Sequence, residues 1–444
     1  MTPFTATMFP IFKRFASALV LVVLVLLTAC TSIPASPTPH APTPTPLAPL
    51  ATSKPQPPPP TAVPDTTITL TLWLPTRFLP DADNTAYQVL QRQLDDFTGT
   101  PDGTPTQIIV NQDRGPGGLL DLLRTASPVA PDVLPDIIAL DNVDLETAAR
   151  SGLVQPIGSL LPASLIDDLY PFAHDLGSIN GELYGVLYSA DLEHLASNAV
   201  TPLPQSWNDL LKSPQRYLFA FSNNTGVSDA VLAHYLSAGG QLTDEQGNPT
   251  LDEIALRTLL ETYQSAQDAG VLPGNLAELD SPDKVWSAWR GVGTSVADLN
   301  ATRYLSVETR LPDLQVGNLP TLIQPARSLG RGWAYAIVTT DARRQAAAAR
   351  LIQQLLSPQN SGEWTRAAGV LPTRAAALAQ WDQSDPYTTF IGDQLARAHP
   401  LPSATIRNAV GPVLRKAIED VLAGRATPVD AARAAVAAVN PSKK

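Results

Sequence analysis

The chain alternates short apolar, β-branched runs with longer segments in which apolar residues recur every three or four positions. ITLTLWL (68–74) alternates Thr with Ile, Leu and Trp and breaks at Pro75, which predicts a first strand. The next segments predict, in chain order, a helix at 87–97, a strand at 107–110, a helix at 118–125, a strand at 135–140 and a helix at 145–152. This strand–helix alternation predicts a parallel sheet with helices on both faces.

Helix start and stop signals continue the α/β pattern downstream. Thr250 to Glu253 reads as a capping box that opens a helix running to Asp268, and Gly270 ends that helix. Thr427 and Pro428 place a cap and a first-turn proline before the last helix.

The amino terminus has the pattern of a lipoprotein signal. Two basic residues precede an uncharged apolar run at 15–27, which is shorter than the roughly 20 residues of a membrane-spanning helix and fits a secretory signal. LTAC (27–30) resembles a bacterial lipobox, in which the cysteine becomes the lipidated first residue. We therefore expect a signal peptide at 1–29 and a lipid anchor on Cys30 that holds the protein to the cell membrane outside the cytoplasm. A transmembrane anchor with an incidental cysteine is the alternative.

A proline-rich segment follows Cys30. Residues 31–64 contain 13 prolines and almost no bulky apolar side chains, so they cannot bury a core and favour an extended polyproline tether. We assign residues 30–64 to a disordered tether and expect the folded part to begin near Asp65. A proline-rich ligand for another domain is the alternative.

The amino-acid composition excludes some functions for the part of the chain that follows the tether. The full sequence is 44% hydrophobic, so the residues from 65 to 444 can bury a large core, and their number favours two lobes. The formal net charge of -11 argues against binding nucleic acid, which would require a basic patch. The single cysteine excludes an intramolecular disulfide and a thiolate metal site.

No motif of catalysis or cofactor binding is present. The sequence lacks GxxxxGK, a GxGxxG after a strand and HExxH, and its five histidines lie at least 20 residues apart. GTSVA (293–297) is only half of a nucleophile elbow. Acidic pairs could serve glycoside hydrolysis, but no spacing here selects a pair. We therefore expect no enzyme activity, no cofactor and no metal.

Several stretches resemble one known family. They are PDIIALDNVDLETAARSGLVQPIGSLL (135–161), YPFAHDLGSINGELYGVLYSADLEHLASN (170–198), TPLPQSWNDLL (201–211), the segment 328–374 from SLGRGWAY to GVLPTR, and VLAGRATPVDAARAAVAAVN (421–440). In this order and spacing they are similar to the sugar-binding type of bacterial extracellular solute-binding proteins, family 1, which serve ABC importers.

The resemblance implies an α/β, two-lobe, periplasmic-binding-protein-like fold of type II, in which each lobe is a mostly parallel sheet flanked by helices. It suggests crossovers near 188–191, 331–335 and 369–373. Lobe 1 would comprise 65–190 plus 335–370, and lobe 2 would comprise 191–334 plus 371–444.

The resemblance also implies a function. The protein would capture a small saccharide between its lobes by hinge closure, as a monomer, and deliver it to ABC permease subunits that work with separate ATPase subunits. A sensory or scaffold binding lipoprotein and a surface glycosidase are the alternatives.

Strand ends supply candidate ligand-binding residues, because open α/β sheets bind ligands outside the carboxyl ends of their strands. Saccharides are recognised by aromatic rings that stack on the sugar and by polar groups that bond its hydroxyls. Candidates chosen by position are Trp73, Arg77, Asp141, Asn142, Asp144, Asn223 and Asn224. A place in the core is the alternative for Trp73.

The resemblance adds candidates at the crossovers and in the segment 294–304. They are Tyr188, Asp191, Asn300, Arg303, Tyr304, Arg331, Trp333 and Arg374. Leu187 replaces the family's usual proline, and Tyr304 and its neighbours stand where the family pattern has a tryptophan. Trp333 is therefore the aromatic residue that we expect to stack on the ligand.

Overall fold

The computed structural model describes residues 68–79, 83–198, 201–212, 215–223, 226–291, 295–308, 311 and 313–440. The predicted signal peptide, the tether and the lipidation site Cys30 lie outside these residues. Residues 65–444 form one compact unit.

Short strands and longer helices alternate along this unit. The strands are β1 (Leu70–Pro75), β2 (Thr106–Asn111), β3 (Ile137–Asp141), β4 (Ser178–Ile179), β5 (Glu182–Leu183), β6 (Gly185–Asp191), β7 (Glu193–Ser197), β8 (Arg216–Leu218), β9 (Ser222–Asn223), β10 (Gly226–Val227), β11 (Ser295–Asn300), β12 (Gln315–Gly317), β13 (Leu329–Ile337) and β14 (His399–Pro400).

The helices lie between these strands and after them. They are α1 (Thr85–Thr98), α2 (Leu119–Ala126), α3 (Asn142–Arg150), α4 (Ala163–Ile166), α5 (Pro171–Gly177), α6 (Trp207–Leu211), α7 (Asp229–Ser237), α8 (Glu253–Asp268), α9 (Pro282–Gly291), α10 (Ala301–Val307), α11 (Ala342–Leu355), α12 (Pro358–Ala368), α13 (Ala375–Leu378), α14 (Pro386–Arg397), α15 (Ala404–Leu422) and α16 (Pro428–Val439).

Local capping explains where several helices begin. The predicted capping box is wrong in its first residue, because the N-cap of α8 is Asp252 and not Thr250. The Asp252 carboxylate accepts a hydrogen bond from the backbone N–H of Ala255 at 2.7 Å. The helix ends at Asp268, as predicted. Thr427 caps α16 with Pro428 in its first turn, which confirms that prediction too.

Two mixed sheets organise the fold. The first sheet has the strand order β14-β13-β3-β1-β2, and β6 also pairs with β13. Its β1 pairs in parallel with β2 and β3, as the strand–helix pattern predicted, whereas β13 runs antiparallel to β3 and β6. The second sheet has the order β12-β7-β11-β8.

The α/β class is confirmed, but the second sheet is not mostly parallel as expected. Only β11 and β8 pair in parallel there, while β7 runs antiparallel to β11 and β12. The parallel strands β8 and β11 are joined through the helices α7 to α9, as parallel neighbours require, whereas β7 enters this sheet straight from β6 with no helix before it.

Buried apolar residues form one cluster around each sheet. The segment 371–398 packs with the first cluster through residues such as Tyr387 and Ile391, although the sequence placed it in lobe 2. One anchor of this segment is Trp381, whose indole N–H donates to the carbonyl of Gly362 in α12 at 3.0 Å. The other lobe boundaries remain predictions.

The three segments expected to cross between lobes lie side by side. Asp191 pairs with Arg331 in the β6–β13 ladder, and Ala190 exchanges backbone hydrogen bonds with Leu371 at 2.8 and 3.1 Å. Within the described part of the chain, no helix has both the length and the apolar character that a membrane span requires.

Candidate ligand-binding cleft

A cavity of about 630 Å³ opens where the carboxyl ends of β1, β2 and β3 meet the crossover strands and the end of β11. Of the predicted ligand-binding residues, the structure brings to its walls Arg77, Asp141, Asn142, Asp191, Asn300, Arg331 and Trp333. These residues come from widely separated parts of the chain. Their convergence follows the rule that such crevices form at strand ends.

The aromatic rings of Phe78 and Trp333 form the floor of the cavity. Phe78 lies in a single helical turn after β1, and its ring makes edge contacts with Trp333 and Tyr188 at centroid distances of 5.8 and 6.0 Å. Trp333 is only 5% exposed, even though it contributes to the cavity wall.

A first ion pair lies on this floor. The Arg77 guanidinium donates to Asp113 at 2.7 Å, and the Asp113 carboxylate also accepts from the backbone N–H of Arg77 at 3.2 Å. The carbon of the guanidinium lies 5.3 Å from the centroid of the Trp333 ring, within the range of a cation–π contact. About half of the Arg77 side chain stays exposed, so its remaining N–H groups can donate to a ligand.

A second ion pair joins Arg114 to Asp141. Arg114 donates to the carboxylate of Asp141 at 2.5 Å, and the other oxygen of that carboxylate caps α3 by accepting from the N–H groups of Val143 and Asp144. Asn142 beside it accepts from the backbone N–H of Gly332 at 3.3 Å, which ties the end of β3 to β13. The side chain of Asp141 is thereby fixed on both sides.

Burial, and after it the neighbouring Asp141 carboxylate, raise the pKa of the Asp144 carboxyl to about 6, while the Arg114 guanidinium opposes the shift. Asp144 faces a different surface groove, next to Gly115 and Arg124, and does not line the cavity.

A third cluster of charges surrounds Arg331. Its guanidinium donates to Asp229 at 2.5 Å and to Asp191 at 3.1 Å. Asp191 also accepts from the side-chain amide of Asn300 at 2.9 Å and from the backbone N–H of Thr302 at 3.1 Å. Asp191 therefore links the crossover to the start of α10.

Glu193 lies behind this cluster and is 8% exposed. Burial raises the pKa of its carboxyl to about 7, with Arg331 opposing the shift and the Asp229 and Asp191 carboxylates adding to it.

The other predicted site residues lie away from this cavity. Trp73 is 7% exposed and belongs to the first core, because its side chain points inward from β1. Tyr188 is buried and stacks on Tyr335 at a centroid distance of 4.2 Å, beneath the floor. Tyr304 stacks on Tyr387 at 4.0 Å.

The remaining candidates are held by other partners or lie elsewhere. Arg303 pairs with Asp283 and lies over the ring of Trp286. Arg374 is buried, where it pairs with Asp168 at 2.9 Å. Asn223 lines a separate groove beside α15, and Asn224 lies outside the described residues.

Sequence reasoning missed several lining residues. Asp113 and Arg114 follow β2 by two and three residues, so the strand-end rule applied to Asp141 could have found them. Asp229 does not line the cavity but pairs with Arg331 on its wall. It has no comparable sequence signal, because it reaches Arg331 only through tertiary packing of α7 against the crossover.

The arrangement offers paired donors and acceptors around an aromatic floor. In the described ranges, no three His, Cys, Asp or Glu side chains are grouped as a metal ion would require. Each cation on the cavity wall is neutralised by a carboxylate, so the cavity combines hydrogen-bonding capacity with little net charge. A two-lobed α/β molecule with such a crevice has the construction of a binding protein.

Comparison with known proteins identifies the family. The family model described as "bacterial extracellular solute-binding protein" matches residues 115–389. The chain therefore belongs to the bacterial extracellular solute-binding proteins, whose members bind solutes outside the cytoplasm. No curated protein matches the sequence.

Solved structures share the fold over most of the chain. The cyclic α-maltosyl-1,6-maltose binding protein of Arthrobacter globiformis is 19% identical, with a TM-score of 0.66, over 84% of this chain and 98% of that one. The sugar-binding protein MalE of Xanthomonas citri is 18% identical, with a TM-score of 0.67, over 84% and 97%. The maltotriose-bound maltotriose binding protein of Thermus thermophilus is 15% identical, with a TM-score of 0.59, over 84% and 100%. At these identities the comparison establishes the shared fold.

Proposed function

We propose that this protein captures a small, uncharged carbohydrate in the cleft around Trp333 and delivers it to an ABC permease. The observation that carries the proposal is the composition of the cleft wall, where an aromatic floor meets three guanidinium groups that are each neutralised by a carboxylate. Such paired groups donate to and accept from hydroxyls without favouring a charged guest.

Charge balance argues for a neutral ligand. An anion would have to compete with Asp113 for Arg77 and with Asp141 for Arg114, and it would approach the carboxylates of Asp191 and Asp229. A neutral polyol meets no such repulsion.

The structural neighbours support this ligand class. They include proteins crystallised with maltotriose and maltotetraose, and one from Agrobacterium radiobacter K84 in complex with ribitol. The three ligands share several hydroxyls and no charge.

The remaining parts of the proposal concern location and partners. The lipid on Cys30 would hold the protein to the outer face of the cell membrane, and the tether at 30–64 would let the folded unit reach the permease. The protein would act as a monomer, with separate ATPase subunits driving transport, and would leave its ligand chemically unchanged.

The test is a thermal-shift screen of the unit 65–444 with maltose, maltotriose, ribitol and the anionic sugar galacturonate. Binding to the folded state alone raises the Tm as ligand concentration increases. We expect a rise with at least one neutral sugar and none with galacturonate. Chromatography of the incubated oligosaccharides should show them intact.

Two variants locate the site. Trp333→Ala should abolish the ligand-induced shift, and Trp333→Phe covers the case in which the alanine variant fails to fold. Trp286→Ala is the control, because Trp286 packs against Trp289 and Arg303 away from the cleft. No shift with any neutral sugar would refute the proposal, and an undiminished shift in both Trp333 variants would remove that residue from the site.

A further inference from the structure

A small cavity lies behind the aromatic floor of the cleft, between β6 and α12. Its volume is about 10 Å³, and its walls include Tyr188, Ser361, Trp364 and the apolar side chains of Leu90 and Leu355. It does not open into the cleft wall described above, since the two cavities share no lining residue.

Three polar atoms on this cavity are buried and unpaired. They are the hydroxyl oxygens of Tyr188 and Ser361 and the indole nitrogen of Trp364, and none has a hydrogen-bond partner among the residues that the structure describes. The three side chains are 3%, 3% and 6% exposed. Buried polar groups in folded proteins are nearly always hydrogen-bonded, and leaving one unpaired costs more than a hydrogen bond contributes. Three unpaired groups on one small cavity therefore call for a common partner.

We propose that this cavity is a binding site for one ordered water molecule, which bridges Tyr188, Ser361 and Trp364. A volume of about 10 Å³ is at the lower limit for a single water, and a buried water needs two to four polar partners. Any larger guest is too big for the cavity.

One water molecule can satisfy the hydrogen-bonding requirements of all three side chains. The Trp364 indole can only donate, so the water accepts from it. The two hydroxyls can each donate or accept, so the water can accept from one and donate to the other. A metal cation does not suit the site, because an indole N–H directed at a cation repels it.

The water would position the floor of the cleft. It joins β6, which carries Tyr188, to α12, which carries Ser361 and Trp364. Phe78 contacts Tyr188 and Trp364 by its edge at centroid distances of 6.0 and 5.7 Å. The hydrated site therefore fixes two of the rings on which Phe78 rests, and through Phe78 it supports Trp333.

The sign of a stability change tests the proposal. Tyr188→Phe removes one oxygen atom and little volume. If the cavity is dry, the substitution deletes an unpaired polar group and raises the Tm. If a water bridges the three groups, the substitution leaves the water short of a partner and lowers the Tm by on the order of 2 °C. An unchanged or raised Tm would overturn the proposal.

A matched pair of tryptophans supplies the control. The indole nitrogen of Trp73 is also buried and unpaired among the described residues, but Trp73 does not line this cavity. Trp364→Phe and Trp73→Phe remove the same atoms, so the excess loss of Tm in Trp364→Phe reports the water.

Two further measurements test the proposal: the energetic coupling between two substitutions and the electron density in a crystal structure. Tyr188 and Ser361 share no direct hydrogen bond, yet a common water predicts that Tyr188→Phe and Ser361→Ala are non-additive in a double-mutant cycle. A crystal structure should show one density peak within hydrogen-bonding distance of all three atoms. Additive Tm changes together with an empty cavity would refute the site, and neither readout depends on carbohydrate binding.

Discussion

The Arg77 guanidinium lies over the indole ring of Trp333, with its carbon 5.3 Å from the ring centroid, while Asp113 holds it from the other side at 2.7 Å. Because Trp333 is only 5% exposed, very little of its side chain is open to the cleft. A sugar that stacks on Trp333 must therefore move Arg77 aside.

Arg77→Ala should uncover Trp333. We expect stronger acrylamide quenching of tryptophan fluorescence than in the parent protein, and the increase should vanish in the double variant with Trp333→Phe. Arg92→Ala is the control, because Arg92 has similar exposure and pairs with Glu363 on the surface. Equal quenching in the parent and Arg77→Ala would show that the guanidinium does not cover the ring.

Asp191→Asn should destabilise the crossover. The Asp191 carboxylate accepts hydrogen bonds from Asn300, Thr302 and Arg331, and an amide cannot accept all of them. The loss should lower the free energy of unfolding by about 1–3 kcal/mol, measured by urea denaturation.

The matched control for Asp191 is Asp283→Asn, which breaks the exposed pair with Arg303. Exposed pairs contribute about 0–1 kcal/mol, so this variant should change stability little. A loss in Asp191→Asn no larger than in the control would contradict the role of Asp191 in joining the crossover to α10.

Glu193→Gln should change the pH dependence of stability. Because burial raises the pKa of Glu193 to about 7, the folded state binds its proton more tightly than the unfolded state does. The contribution of this group is present below its unfolded pKa of about 4.3 and is lost as the pH rises through 7. Gln cannot ionise, so the variant should gain Tm relative to the parent at pH 8 and gain little at pH 5.

Glu363→Gln provides the comparison for that profile, since its side chain is about half exposed. Its Tm difference from the parent is measured at the same two pH values as that of Glu193→Gln. If Glu193→Gln changed the Tm by the same amount at pH 5 and at pH 8, the Glu193 carboxyl would not titrate between these pH values.

Gly332→Ala should disrupt the pairing of β13 with β6. A Cβ at this position would lie 2.1 Å from the backbone oxygen of Ser189, which cannot move without shifting the crossover strand. We expect a loss of more than about 2 kcal/mol in unfolding free energy. Gly274→Ala is the control, because an added Cβ there meets no atom within 4 Å. Equal stability of the two variants would contradict this packing.

The sequence predicted helices and strands best where the signal comes from residues close together in the chain. The alternating 68–74 run became β1, and Asp141 became the cap at the carboxyl end of β3. Such features depend on neighbours in the chain, so a pattern within ten residues is sufficient to predict them. The same logic placed Asp141 and Asn142 on the cleft wall.

Side-chain direction was less predictable. Trp73 stands at the end of the same strand that leads to Arg77, yet its ring enters the core while Arg77 faces the cleft. Successive side chains of a strand point to opposite faces, and only packing against the helices decides which face is buried.

By itself, the sequence determined the α/β class, the strand ends that carry polar residues and the order of segments shared with solute-binding proteins. Only the tertiary structure decided that 371–398 packs with the first core, that Asp229 reaches Arg331 and that Arg77 covers Trp333. The physical reason is range, because capping and strand periodicity act between near neighbours, whereas the Asp229–Arg331 and Arg77–Trp333 contacts join residues more than 100 positions apart.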